Sequence, residues 1–217
     1  LYSVPFGTLD ERWRAGFGFS TESNDLKSRD GVVAHREENV AGANISFSSV
    51  EFHPLQYGAS DGYSVELTAE NYALLDNDDF NGNVYSLDWH NYTPLRHGIL
   101  ALRWVEGLGY GAPTPFQLGG VFSEYEGQLP YINQRKYALR GYDSDPFLSG
   151  RRMRLGTVEW RMPLPYVNRS LMVPPVGIGR TSLVLFGEAG GAWHDGNSPS
   201  HYYGSGGMEA VGELIVG

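Results

Sequence analysis

Polar and apolar residues alternate with a period of two in segment after segment of this chain. In ERWRAGFGFS, Trp13, Ala15, Phe17 and Phe19 share one face, and Arg12, Arg14 and Ser20 share the other. In GYSVELTAEN, Tyr63, Val65, Leu67 and Ala69 oppose Glu66, Thr68 and Glu70. The same reading sets Tyr85, Leu87 and Trp89 against Ser86, Asp88 and His90, and Leu100, Leu102 and Trp104 against Ala101, Arg103 and Val105. Near the end, Leu183, Leu185, Ala189 and Trp193 oppose Phe186 and Glu188. Strict alternation predicts β-strands; helical spacing is sustained nowhere, and glycine interrupts each candidate helix. Further strands are expected at about 40–53, 152–163 and 205–216, about eight in all. The 40–53 segment loses phase, with Ile45 and Phe47 on one face and Val50 and Phe52 on the other, which predicts a bulge or a misplaced strand.

The character of the two faces narrows the fold. Charged residues recur on one face of strand after strand, while the opposite face carries Trp, Tyr and Phe. A transmembrane barrel has this inversion, with apolar side chains outward to lipid and polar ones inward to a wet lumen, on strands of about 9–11 residues. Lipid cannot satisfy an open sheet edge, so such a sheet has to close. A soluble all-β sandwich, which buries its apolar face, is the competing expectation. Connections are unequal: 53–62 and 92–98 read as short links, 22–39 as a long polar loop, and 109–151 as a very long one. Alternating short turns and long loops match the two ends of an outer-membrane barrel. A loop of about 40 residues is far beyond the usual length, and such loops are commonly functional.

Composition agrees with strands and tight turns. The chain has 217 residues with 29 Gly and 14 Tyr, and it has no Cys, which removes disulfides and thiolate metal sites. Its net charge of −9 argues against a nucleic-acid partner, which requires a basic surface. No apolar run approaches the roughly 20 residues of a membrane helix. The chain opens at Leu1 in a polar segment without a signal sequence, so a leader is expected to have been removed or the chain to be part of a longer one.

Within the long loop and after it the sequence becomes specific. FQLGG (116–120), LRGY (139–142), FLSG (147–150), GTVEWRMPLP (156–165), LFGEAGGAWHD (185–195) and GSGGMEAVGELIVG (204–217) follow one another in order. This series resembles the bacterial surface-antigen superfamily of outer-membrane barrels, the BamA- and TamA-like proteins. The resemblance is specific over 99–217 and rests only on strand pattern over 1–98. It implies an all-β antiparallel transmembrane barrel of sixteen strands, of which this chain holds a C-terminal part (residues 1–217), with loop 109–151 folded into the lumen. It further implies that Arg140, Gly141 and Tyr142 form a loop-docking motif and that Glu159, Phe186 and Glu188 are its partners on the wall. Alternation alone sets Phe186 and Glu188 on the polar face, and Glu159 shares parity with Arg161 opposite Val158, Trp160 and Met162. A guanidinium withdrawn from water suits such a place, because its planar fork takes two acceptors while it stacks on a ring. Glu188 stands where Asp is usual in the family, and Tyr142 where Phe is common. The last segment departs further and looks closer to barrels that follow periplasmic β-propellers.

The implied function is insertion or translocation of proteins at the outer membrane of a Gram-negative bacterium, without catalysis and without a cofactor. The implied partners are the lipid bilayer, unfolded or secreted proteins, and periplasmic or envelope proteins. No POTRA-like αβ repeat occurs in the chain. A second reading makes the barrel an anchor or channel for an upstream propeller or enzyme. Trp13, Trp89, Trp104, Trp160 and Trp193 read as membrane-interface aromatics. The six histidines show no metal-ligand spacing, and the acidic groups Glu124/Glu126, Asp143/Asp145 and Asp76/Asp78/Asp79 read as solvated loop residues. No GxSxG elbow or phosphate loop is present.

Overall fold

The computed structural model describes residues 2–7, 11–27, 33–53, 58–75, 80–120, 132–143, 148–164, 169–171, 176–196 and 198–216. All regular structure among them is β. The strands are β1 (Tyr2–Gly7), β2 (Arg12–Lys27), β3 (Val33–Ser48), β4 (Gly62–Asn71), β5 (Asn81–Leu95), β6 (Gly98–Ala112), β7 (Phe116–Leu118), β8 (Lys136–Tyr137), β9 (Leu148–Gly150), β10 (Arg152–Pro163), β11 (Arg169–Leu171), β12 (Val176–Trp193) and β13 (Tyr203–Val216). Ten of these form one antiparallel sheet, β1-β2-β3-β4-β5-β6-β10-β12-β13, with β11 continuing the row of β10 against the start of β12. The sheet is therefore nine strands wide rather than eight, and it is open, with β1 and β13 at its edges.

Along the row each strand pairs with the next of its members in chain order, β6 and β10 being joined by a long link, and the register keeps the alternation in phase. One row runs Asn44–Thr68–Ser86–Gly107–Met153, and another runs His90–Arg103–Thr157–Glu188–Ser205. The opposite face carries Phe17, Phe19, Leu67, Trp104, Val158 and Met208, all exposed, with Phe19 at 75% and Met208 at 67%. Burial of this apolar face is thus not supplied by any described part of the chain.

The alternation misplaces two segments. Strand β3 ends at Ser48, so Val50 and Phe52 lie in the following turn and no bulge is needed within β3. Within the stretch 22–39, expected as a long loop, the described residues are strand: β2 and β3 continue their pairing out to Lys27 and Val33. Their polar sequence hides the strands because a ribbon without an apolar face shows no alternation.

The core lies between the sheet and the chain that links β6 to β10. That link begins after Ala112 and ends before Arg152, slightly inside 109–151. It folds onto the polar face as a small sheet, β8-β7-β9, with β7 parallel to β8 and antiparallel to β9. Phe116, Leu118, Ile132, Tyr137 and Leu139 pack there against Val84, Val105, Met153 and Leu155, which interrupt the polar face at the loop end of the strands. Wall glycines make room for them. A Cβ on Gly107 would lie 2.5 Å from the Phe116 ring, one on Gly190 2.7 Å from Leu118, and one on Gly42 3.2 Å from Ile132.

Gly107→Ala should therefore overpack the wall and cost about 1–3 kcal/mol in a denaturant titration. Gly187→Ala, where a Cβ meets nothing within 4 Å, should leave the midpoint within about 0.5 kcal/mol of the parent.

Candidate functional site

The chain reverses at Leu139–Tyr142, where the Tyr142 amide donates to the Leu139 carbonyl at 3.3 Å. Gly141, the third residue of this turn, has φ +88°. A positive φ at that position defines a type II turn and favours glycine. A Cβ there would make only ordinary contact with Ser205 of β13, at 3.4 Å, so it is the φ that calls for glycine. The turn leaves Arg140 at its second position, with Leu139 fully buried beneath it.

Arg140 is held on every side. Its backbone amide donates to Glu188 Oε2 at 2.8 Å, and its Nε donates to Glu188 Oε1 at 2.7 Å. Nη2 donates to Glu159 Oε1 at 2.8 Å, and Nη1 donates to Glu209. The guanidinium carbon stands 3.8 Å from the centre of the Phe186 ring. Phe186 lies over Gly207, where a Cβ would come within 2.8 Å of the ring. Thus β10, β12 and β13 each send one carboxylate to the same cation. Glu159 also accepts from Nε and Nη2 of Arg161, at 2.9 and 2.7 Å. Tyr142 donates from its hydroxyl to the Gly204 carbonyl at 2.9 Å and meets Tyr203 edge-on. Burial disfavours the charged form of Arg140, but hydrogen bonds and attraction from Glu188, then Glu209 and Glu159, outweigh it and raise its pKa.

The structure therefore brings Arg140 against Glu159, Phe186 and Glu188, whereas Gly141 and Tyr142 lie against Ser205, Gly204 and Tyr203 of β13. Glu209 was not anticipated, although the alternation of GMEAV turns it away from Met208 and Ala210 and toward the polar face.

A second arginine of the loop was missed entirely. Arg135 is 5% exposed and pairs with Glu70, itself 5% exposed, at the end of β4. Arg135 Nη2 also donates to the Tyr72 hydroxyl at 2.8 Å, and the Asn133 amide donates to Glu70 Oε1 at 2.6 Å. The Tyr72 hydroxyl lies 3.1 Å from both Glu38 Oε1 on β3 and Asn133 Oδ1. Asn133 takes φ +71°, the only positive φ of a non-glycine among the described residues. Asn is among the few side chains that tolerate this conformation. Glu70 was legible as a polar-face residue of β4. Nothing periodic in the loop could have assigned Arg135 to it.

Elsewhere on the polar face, Arg103 clasps Asp88 with Nε and Nη2 at 3.2 and 2.8 Å, and His90 Nε2 lies 2.9 Å from Asp88 Oδ1. Of the tryptophans, Trp13, Trp104 and Trp160 stand exposed on the apolar face, and Trp89 is half-buried there. Trp193 shares their parity but is covered. It is 7% exposed, its Nε1 donates to the Gly196 carbonyl, and Arg154 stacks near it. Asp143 is exposed, whereas Glu124, Glu126, Asp145, Asp76, Asp78 and Asp79 lie outside the described residues. Among the described residues no cluster of His, Cys, Asp and Glu suits a metal ion.

The arrangement is one of saturation. All three guanidinium nitrogens of Arg140 donate to carboxylates and one face of the group is covered by a ring, so its chemistry here is to hold a turn against three strands. Comparison with protein-family models and with curated proteins gives no match.

Arg140→Ala should cost about 3–5 kcal/mol, because it leaves the buried Glu188 without its cation and Glu159 with Arg161 alone. The loss is measured as a lower unfolding midpoint together with new protease cleavage near residue 140. Arg140→Lys should recover only part of it, since an ammonium cannot reach three carboxylates in one plane.

Tyr72, just beyond β4, makes a prediction about pH. Burial, reinforced by Glu38 and Glu70 against the opposing pull of Arg135, pushes its pKa up to about 12. The folded value lies above the ordinary one of about 10, so the neutral phenol stabilises the fold fully below about pH 10. That contribution is lost as pH rises toward 12. Stability should fall more steeply between pH 10 and 12 in the parent protein than in Tyr72→Phe, read from denaturant midpoints across that range.

Proposed function

We propose that this chain is the C-terminal part of an outer-membrane β-barrel of the surface-antigen superfamily, about nine of a family total of sixteen strands. Its work is the assembly, insertion or translocation of proteins at the outer membrane. One observation carries the reading: a long loop crosses the polar face and is pinned by Arg140 to carboxylates on three successive strands, while the other face presents apolar side chains outward. The ordered motifs from FQLGG to GSGGMEAVGELIVG supply the family. An open sheet with that outward face needs further strands to close it and lipid to cover it. Arg140 then serves as a wall and plug residue, and Trp13, Trp89, Trp104 and Trp160 serve at the membrane interface. The chain acts by mechanical means, with no cofactor.

A second reading makes the barrel an anchor or channel for an upstream propeller or enzyme. The observation that favours it is the last strand, whose GMEAVGELIVG resembles barrels that follow periplasmic propellers.

The full-length protein should stay with washed membranes through carbonate extraction and should migrate faster in gels before heating than after. Recovery in the aqueous phase as a monomer would remove the membrane reading. Depletion of the protein then separates the two functions. Loss of other barrels from the outer membrane supports assembly, and an unchanged outer-membrane profile supports the anchor.

A further inference from the structure

The two arginine clusters lie at opposite parts of the sheet, yet the arginines are near neighbours in the chain. Arg135 is bonded to Glu70 on β4 and, through Tyr72, to Glu38 on β3. Arg140 is bonded to Glu188 on β12 and Glu209 on β13. The sheet order places β5, β6, β10 and β12 between β4 and β13. If the sheet were flat, that lateral separation would be about 24 Å at the usual strand spacing.

The clusters are also staggered along the strands. The row of Glu70 crosses β6 at Gly109, whereas the row of Glu209 crosses it at Ile99. That offset is about 33 Å at the usual rise per residue, so a flat sheet would hold Glu70 and Glu209 about 40 Å apart. The backbone from Arg135 to Arg140 spans at most about 18 Å even when fully extended. It is not fully extended, because Lys136 and Tyr137 pair with β7 and the chain turns at Leu139–Tyr142. The glutamate side chains stand off the sheet rather than along it, and the added reach of the two arginine side chains still falls short of that separation. Both sets of bonds form together only if the sheet is coiled with its strands oblique to the coil axis, so that the β3–β4 wall faces the β12–β13 wall across the loop.

We infer that the segment Ile132–Tyr142 is a strut that holds the sheet at this curvature, with Arg135 as a second latch opposite Arg140. The apolar seat fits a fixed strut. Ile132 sits over Gly42 on β3, Phe116 over Gly107 on β6, and Leu118 over Gly190 on β12, each at a spacing a methyl group would disturb. The strut ties together strands that do not touch one another. It is a different kind of constraint from the strand-to-strand hydrogen bonds, which leave the curvature of a sheet adjustable. This inference rests on the loop and the sheet alone. A protein found in the aqueous phase would overturn the membrane reading and leave the present test intact.

The test uses the full-length protein with spin labels at Leu67 on β4 and Met208 on β13, both exposed on the face away from the loop. Pulsed dipolar spectroscopy gives the distance distribution between them, and limited proteolysis reports whether the loop is seated. In Arg135→Met the loop should become cleavable near 132–137, and the distribution should broaden and move outward by several ångströms. Tyr72→Phe, which keeps the ring and removes only the hydroxyl bonds, should give a smaller change in the same direction and serves if Arg135→Met does not fold. A distribution unchanged while the loop is cleaved means that the sheet holds its own curvature, and the inference falls. It falls equally if the loop of Arg135→Met stays as resistant as the parent, because Arg135 would then be no latch.

Discussion

The structure depends on a cation that its sheet cannot supply for itself. Glu159, Glu188 and Glu209 stand on adjacent strands and point to one place, an arrangement that repels itself unless a positive charge fills it. Arg161 answers part of Glu159, and Arg140 answers all three. The guanidinium is suited to this by shape, since its plane bonds outward to carboxylates while its face lies on Phe186. Phe186 lies flat because Gly207 beneath it has no side chain. The loop, the ring and three strands are thus fastened through one residue whose backbone conformation is set by Gly141.

This fastening explains why a chain with a polar inner face has a core at all. The sheet turns most of its apolar residues outward, so it cannot build a core by closing on itself over the described residues. Instead the linker between β6 and β10 brings Phe116, Leu118, Tyr137 and Leu139 to a patch where Val84, Val105, Met153 and Leu155 replace the polar pattern. Burial of these side chains is favourable, but a linker of that length loses much conformational freedom when it is ordered. The two arginine clusters fix its 132–142 segment at two points, and the apolar contacts seat the chain around them. Each contribution needs the other: unfastened apolar contacts would be made by a wandering loop, and unfilled arginine bonds would be exposed to competing water.

Much of the sheet was legible in the sequence because strand periodicity survives translation into structure. The face of Phe17 and Phe19, of Leu67, of Trp104 and of Glu188 follows from counting by twos. What escaped has a physical cause in each case. Between 22 and 39 the sequence is polar at odd and even positions alike, so there is no period to read. Trp193 has the parity of an outward residue, but Arg154 and the turn after β12 cover it, and parity does not report what covers a side chain. Arg135 lies in a segment without regular repeat, where the chain's own turns decide direction. The only advance sign of a seat for it was Glu70, a carboxylate on the polar face without a charge opposite it in sequence.

The two arginines also show how an acidic chain keeps its interior charged at tolerable cost. Arg135 is the more deeply buried and is balanced by few groups, Glu70 first, with a phenol and ring faces around it. Arg140 is less buried and is surrounded by more carboxylate than it can neutralise, but Arg161 also pairs with Glu159, and Glu209 is partly open to solvent. Burial penalises each charge and a close partner restores it, so neither arginine loses its proton at any pH the protein meets. Exchanging the two environments would fail. Three carboxylates at the Arg135 site would leave net negative charge out of reach of water, and a single one at the Arg140 site would bind only one of the three strands that meet there. The depth of each cluster therefore matches its charge balance, and the strand-gathering role falls to the one near solvent.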